Sequence, residues 1–137
     1  SLCMANLKDI STAAWAYSDD HAGTFPLSSQ WNFSLKSYLR RTEALMCPAD
    51  DSGKPSYAMN DALSDLHKST ISSPINCAAF FESVPGDNMH GGANLFPPKP
   101  RHGEQHLAVS VTGAAMRVKP SGLGKVSWNP CMQRRYG

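Results

Sequence analysis

His102, Glu104 and His106 sit two residues apart, and in an extended segment three such side chains share one face. Imidazole and carboxylate groups gathered on one face can hold a metal ion, so this is the strongest metal-ligand spacing in the chain. The strand that follows argues against it. Leu107, Val109 and Val111 set an inward apolar face that turns His106 towards solvent, and the trio then reads as the polar approach to a hairpin. Asp50 with Asp51, and Glu82 with Asp87, offer paired carboxylates of the kind that loops use for calcium, but without EF-hand spacing. A cysteine protease needs Cys, His and Asn or Asp, and the chain carries these types in no recognisable context. G-x-S-x-G is absent, and Gly91-Gly92 is followed by Ala93-Asn94 instead of Gly-Lys-Ser. Trp15, Trp31 and Trp128 could form a ligand platform, but core packing is the commoner use of such residues. The residues thus predict no catalytic constellation and no required cofactor.

Cys3, Cys47, Cys77 and Cys131 show no C-x-x-C spacing, which weighs against a zinc ribbon or a thioredoxin-type site. Their even number in a small domain allows two disulfides and an oxidising compartment; the alternative is four reduced, buried thiols. Cys47 lies in a turn that should fold back beside the first helix, which predicts a Cys3–Cys47 bridge. Cys131 lies in a loose tail that needs a tether, which predicts Cys77–Cys131.

The elements that must position these residues follow from periodicity. Residues 2–18 read as a helix, with Leu7, Ile10, Ala14 and Tyr17 along one stripe. Gly23 is the expected C-terminal cap and Pro26 prevents resumption. Trp31, Leu35, Tyr38 and Leu39 predict a second, shorter helix capped by Ser28 or Ser29. Residues 50–55 form a polar loop. Residues 77–82 form a buried strand, and residues 86–105, rich in Gly and Pro, a long ordered loop. Leu107 to Val111 and Met116 to Val118 alternate around Thr112-Gly113 as a β-hairpin. The expected fold class is α+β: a long N-terminal helix packed on a small antiparallel sheet, with a loop-rich C-terminal half.

The chain has 137 residues, 41% of them hydrophobic and 18% charged, so one globular domain over residues 1–137 is expected and disorder is not. A net charge of +2 gives no basis for nucleic-acid binding, and the pairs Arg40-Arg41 and Arg134-Arg135 read as solvated surface. No apolar run is long enough to cross a bilayer. The chain starts at Ser1, without methionine and inside an apparent helix, and is therefore read as a piece of a longer protein.

This order resembles the type IV pilin and type II secretion pseudopilin family. More narrowly, it resembles prepilin-like proteins marked near the C-terminus by a histidine, nine residues, and Asp-Gly. Three separated blocks carry the resemblance. Cys3 to Ile10 and Tyr17 to Pro26 look like the end of the pilin helix and the exit from it. Leu45 to Asp50 and Ser56 to Asn60 resemble the middle segment. Arg101-His102, nine residues, then Thr112-Gly113 falls where the closing motif should be. His90-Gly-Gly-Ala-Asn94 imitates the start of that motif, but the hairpin follows His102 directly. Thr112 stands in place of aspartate, and a β-branched residue resists the positive φ of a type I′ turn.

The resemblance implies a non-enzymatic structural subunit of a bacterial secretion or pilus-type filament. It implies an apolar helical half upstream of Ser1 that anchors the subunit in the inner membrane of a Gram-negative-type envelope before assembly. Other pilin-like subunits and secretion-machine components are the implied partners, with the isolated domain monomeric or weakly associated. It also admits calcium in a loop, with ligands unspecified. A cell-surface adhesin or ligand-binding module on the same scaffold is the alternative.

Overall fold

Ser1 opens the first helix, α1 (Leu2–Asp20), its hydroxyl accepting a hydrogen bond from the Met4 N–H at 3.2 Å. This satisfies one of the donors that every helix start leaves open. The far end is closed by a chain reversal. Ala22 and Gly23 both take positive φ, and the Gly23 N–H returns to the Ser18 carbonyl at 2.7 Å. The expected cap at Gly23 is thus shared with Ala22. Gly23 is also irreplaceable on space, since a Cβ there would lie 2.5 Å from the His67 ring.

The structure, a computed structural model, describes residues 1–129. After α1 a short helix, α2 (Trp31–Leu35), leads into β1 (Tyr57–Asn60), β2 (Ala78–Glu82), the two-residue β3 (His90–Gly91), β4 (His106–Ser110) and β5 (Ala115–Val118). Short 3-10 turns connect them. The five strands form one sheet in the order β3-β1-β2-β4-β5. All pairings are antiparallel except β1 with β3, so the sheet is mixed, not antiparallel throughout. The exception comes from His90–Gly91, the short stretch of the otherwise loop-like 86–105 segment that pairs with β1. Among the described residues, no helix is long and apolar enough to cross a membrane.

The expected stripe does pack on the sheet. Leu7, Ile10 and Ala14 are buried in one cluster with Leu107, Val109, Val111, Tyr57, Met59 and Phe80, and Tyr17 flanks it. Ser11 anchors the crossing, donating its hydroxyl to the Ser110 and Val111 carbonyls at 3.1 and 3.3 Å. Trp31 is buried against Phe80 and donates its indole N–H to the Met89 carbonyl. Neither Ser28 nor Ser29 caps α2. Its N-cap is Gln30 without a side-chain bond, because the Ser28 hydroxyl is committed to Asp61 at 2.6 Å.

The sheet is covered on both faces. Ala58, Phe81 and Ala108 point away from α1 into a second cluster with Phe96, flanked by Trp128. Here the structure overturns a sequence expectation: His106 does not face solvent but is 2% exposed, its ring 4.5 Å from that of Phe96. The 86–105 segment and the stretch around Trp128 form the lid that alternation alone could not reveal. The hairpin turn avoids the strain that Thr112 threatened. The Gly113 N–H bonds the Ser110 carbonyl at 2.9 Å, and Gly113, at φ 88°, takes the left-handed position. This is the three-residue loop with a glycine bulge, in which the residue before glycine is spared.

Truncating Leu7, fully buried between α1 and the sheet, should cost about 2–5 kcal/mol. Chemical denaturation of Leu7→Ala measures this; an unchanged midpoint would sink the packing described.

Candidate functional site

β2 carries an acid into the core. The run from Ala78 to Phe81 is apolar enough to be buried on both faces, and Glu82 ends it with a side chain only 1% exposed. A carboxylate removed from water needs partners on every side. Glu82 has three. Its Oε1 accepts from the Leu107 N–H at 2.9 Å, its Oε2 lies 2.9 Å from His102 Nε2, and the Arg101 guanidinium stands 3.8 Å from Oε2. Gly103, at φ 64°, turns the chain so that Arg101 and His102 face β2 while β4 departs beside it.

Arg101 knits the surrounding loops. It donates to the Ser56 carbonyl at 3.0 Å and to the Ser83 carbonyl, and it lies 3.8 Å from Asp50 Oδ2. Asp50 in turn accepts from the Ser52 N–H at 3.0 Å and the Ser56 hydroxyl at 2.7 Å. The Ser56 hydroxyl accepts from the Cys47 N–H at 2.9 Å. Cys47 is joined to Cys3 by a disulfide with a Cα–Cα distance of 5.2 Å, in the usual range, and its sulfur lies 3.4 Å from His102 Nε2. One turn further along α1, the buried Asn6 donates to the Met46 carbonyl at 2.9 Å and the Tyr57 hydroxyl at 3.2 Å. The Arg41 guanidinium closes on its oxygen at 3.2 Å.

Burial is the largest influence on the main titrations, though not always the one that sets their direction. It pushes Glu82 above the usual carboxylate range, with His102, the Leu107 N–H and Arg101 pulling the other way without overcoming it. For Asp50 burial also pushes upward, but the Ser56 hydroxyl, the Ser52 N–H and Arg101 outweigh it and the carboxyl stays below its ordinary value. Burial raises the Tyr57 phenol strongly, and it lowers His106.

The sequence-derived candidates divide sharply. His102, Glu104 and His106 do not share a face. A turn bridged between His102 and Gln105 separates them, Glu104 is exposed, and His106 enters the second core cluster. Thr112 and Gly113 form the hairpin turn, beyond the strand that begins beside His102. Glu82 is not a loop ligand paired with Asp87. It is a core residue, whereas Asp51 and Asp87 are exposed. Of the predicted disulfides, Cys3 and Cys47 are bonded, Cys77 is buried, and Cys131 lies outside the described residues. Comparison with protein-family models, with curated proteins and with solved structures finds no match for this chain.

What the cluster can do follows from its atoms. One imidazole nitrogen, Nε2, faces both Glu82 and Cys47, so Glu82 does not orient His102 through the nitrogen opposite the sulfur, as the acid of a catalytic triad does. With Cys3 and Cys47 in a disulfide, neither sulfur is a free thiol. It does offer four donor atoms, from Cys3, Cys47, Glu82 and His102, all within 4.8 Å of one another. Sequence reasoning missed Arg101 and Asn6 as organisers. The available signal was an acid ending a buried strand, which requires a cation from elsewhere.

Replacing Arg101 by methionine should cost about 3–5 kcal/mol at neutral pH, because it strands a buried carboxylate. The folded Glu82 pKa is already raised, so the penalty belongs to the ionised form and is present above that pKa. It should shrink as pH falls through it towards the ordinary glutamate range. Urea melts of wild type and Arg101→Met at neutral and acidic pH measure this, and a pH-independent difference would contradict it.

Proposed function

We propose that the chain is the envelope-side part of a pilin-like structural subunit of a bacterial secretion or pilus-type filament, and that its task is mechanical and not catalytic. The observation that carries this reading is the convergence of the three sequence blocks on which the resemblance rests. Cys3 and Asn6 from the first, Cys47, Asp50, Ser56 and Tyr57 from the second, and Arg101 and His102 from the third meet in one cluster against the first turns of α1. Residues far apart in sequence thus meet in one joint.

In this reading α1 is a handle, continuing upstream into an apolar helix that anchors in the inner membrane and bundles with its equivalents. Load applied along the helix meets a covalent tie at its first turn, Asn6 one turn later, and Ser11 hydrogen-bonded to the sheet. The fold hangs from the handle at three points and resists peeling from either end. The 50–55 loop, whose residues 51–54 are exposed, lies on the outside, where contacts with other subunits or cargo would form.

Without the upstream helix the chain should be monomeric at micromolar concentration, because the remaining polar surface gives only small interfaces. Sedimentation velocity reads this directly. A tight dimer with an extensive interface would overturn the filament reading and favour a stand-alone binding module.

A further inference from the structure

The disulfide pocket has a second chemistry. We propose that, before its cysteines are oxidised, the chain binds one zinc ion through Cys3, Cys47, Glu82 and His102. The donor set suits the metal: two thiolates, one imidazole and one carboxylate are ordinary zinc ligands in a four-coordinate site.

The geometry is nearly in place. In a tetrahedral zinc site the ligand atoms stand roughly 3.3–3.8 Å apart. Cys47 Sγ already lies 3.4 Å from His102 Nε2 and 3.9 Å from Glu82 Oε2, and Nε2 and Oε2 are 2.9 Å apart. The two bonded sulfurs must separate and the Nε2–Oε2 pair must open slightly, and Cβ rotation on two Cα atoms 5.2 Å apart supplies the larger of these movements.

The surroundings favour a metal as well. Two thiolates and a carboxylate around Zn²⁺ leave one net negative charge, and the Arg101 guanidinium beside Glu82 offsets it. The Leu107 N–H holds the other carboxylate oxygen and fixes its orientation, as outer partners of metal ligands do. Cys3, Cys47 and Glu82 are all buried and only His102 is partly exposed, so solvent reaches the site from one side.

Zinc and the disulfide are mutually exclusive. Binding to the dithiol releases two protons to solvent. Oxidation by a disulfide reagent or a protein disulfide takes two electrons from the thiolates, forms the Cys3–Cys47 bond, reduces the oxidant to two thiolates that take two protons from solvent, and sets the ion free. The pocket would thus hold α1 in place both before and after oxidation, first by metal and then by a covalent bond.

The test is refolding of the full 137-residue chain, reduced with a phosphine under denaturant, into anaerobic buffer containing zinc alone or cobalt alone. Elemental analysis should find one zinc per chain, and none in the disulfide form. Cobalt should give the d–d bands of tetrahedral coordination with charge transfer from two thiolates. Cys3→Ser and Glu82→Gln should each weaken zinc binding by more than about tenfold in a chelator competition. The proposal fails if the reduced chain takes up no zinc, whether or not it folds. It fails also if the disulfide form binds equally well, or if Glu82→Gln binds as tightly as wild type. The cobalt spectrum decides independently of whether the variants fold: a four-thiolate spectrum would place the ion elsewhere and overturn the assignment.

Discussion

A single buried carboxylate organises this protein. Placing Glu82 at the end of an apolar strand creates a demand that hydrophobic packing cannot meet, since an ion taken from water must find its solvation again within the fold. The answer comes from chain positions far removed: a backbone N–H of β4, an imidazole and a guanidinium. Because Arg101 also grips the Ser56 and Ser83 carbonyls, satisfying the acid fixes the loop that carries Cys47 and, through it, the start of α1. The polar centre determines where the loops lie, and the apolar clusters on each side fill the space that remains. Such a centre adds little net stability over a well-packed apolar one, but a chain folded to a different register would leave the acid unpaired.

The sheet itself is a shared wall. One face meets α1 through large side chains such as Tyr57, Met59 and Phe80. The other meets the 86–105 segment through smaller ones, Ala58 and Ala108, with Phe81 reaching out to Phe96 and Trp128 and His106 to Phe96. This asymmetry suits the two coverings. A rigid helix stands off a sheet by the width of its side chains, whereas an irregular segment can come close to a surface of alanines. The register shift in β2 between Ala78 and Phe80 helps, placing both Ala79 and Phe80 on the helix side.

The regular parts of this architecture were legible in the sequence. The α1 stripe and the hairpin each carry a clean period, which reports the residues that meet an apolar partner, and the 77–82 strand stands out as an unbroken apolar run. What period cannot report is what covers the other side. His106 was expected in solvent because Leu107, Val109 and Val111 define one inward face; nothing in that alternation says that Phe96, ten residues earlier, returns to cover the opposite one. β1 was not picked out, because Tyr57-Ala-Met-Asn60 is too short and mixed to stand apart. The site was harder still. Its donors come from four stretches of chain, and their grouping rests on long-range closure that composition does not encode. The expected fold-back of one turn pairs Cys3 with Cys47, but Glu82, at the end of the 77–82 strand, is offered by the sequence only as a carboxylate grouped with Asp87.

The sheet ends differently at its two margins. On one side the outermost strand is only two residues long, His90 and Gly91, and runs parallel to its neighbour. On the other, β5 bears the exposed Arg117, and Lys119 follows it. A second chain seeking to continue the ladder would find too few hydrogen-bonding groups at the first margin and positive charge at the second. Fibrous aggregation by strand addition is therefore discouraged. Many copies of this protein could be held at high local density, and whatever order they adopt would have to come from helices and loops meeting side by side, leaving each sheet closed on itself.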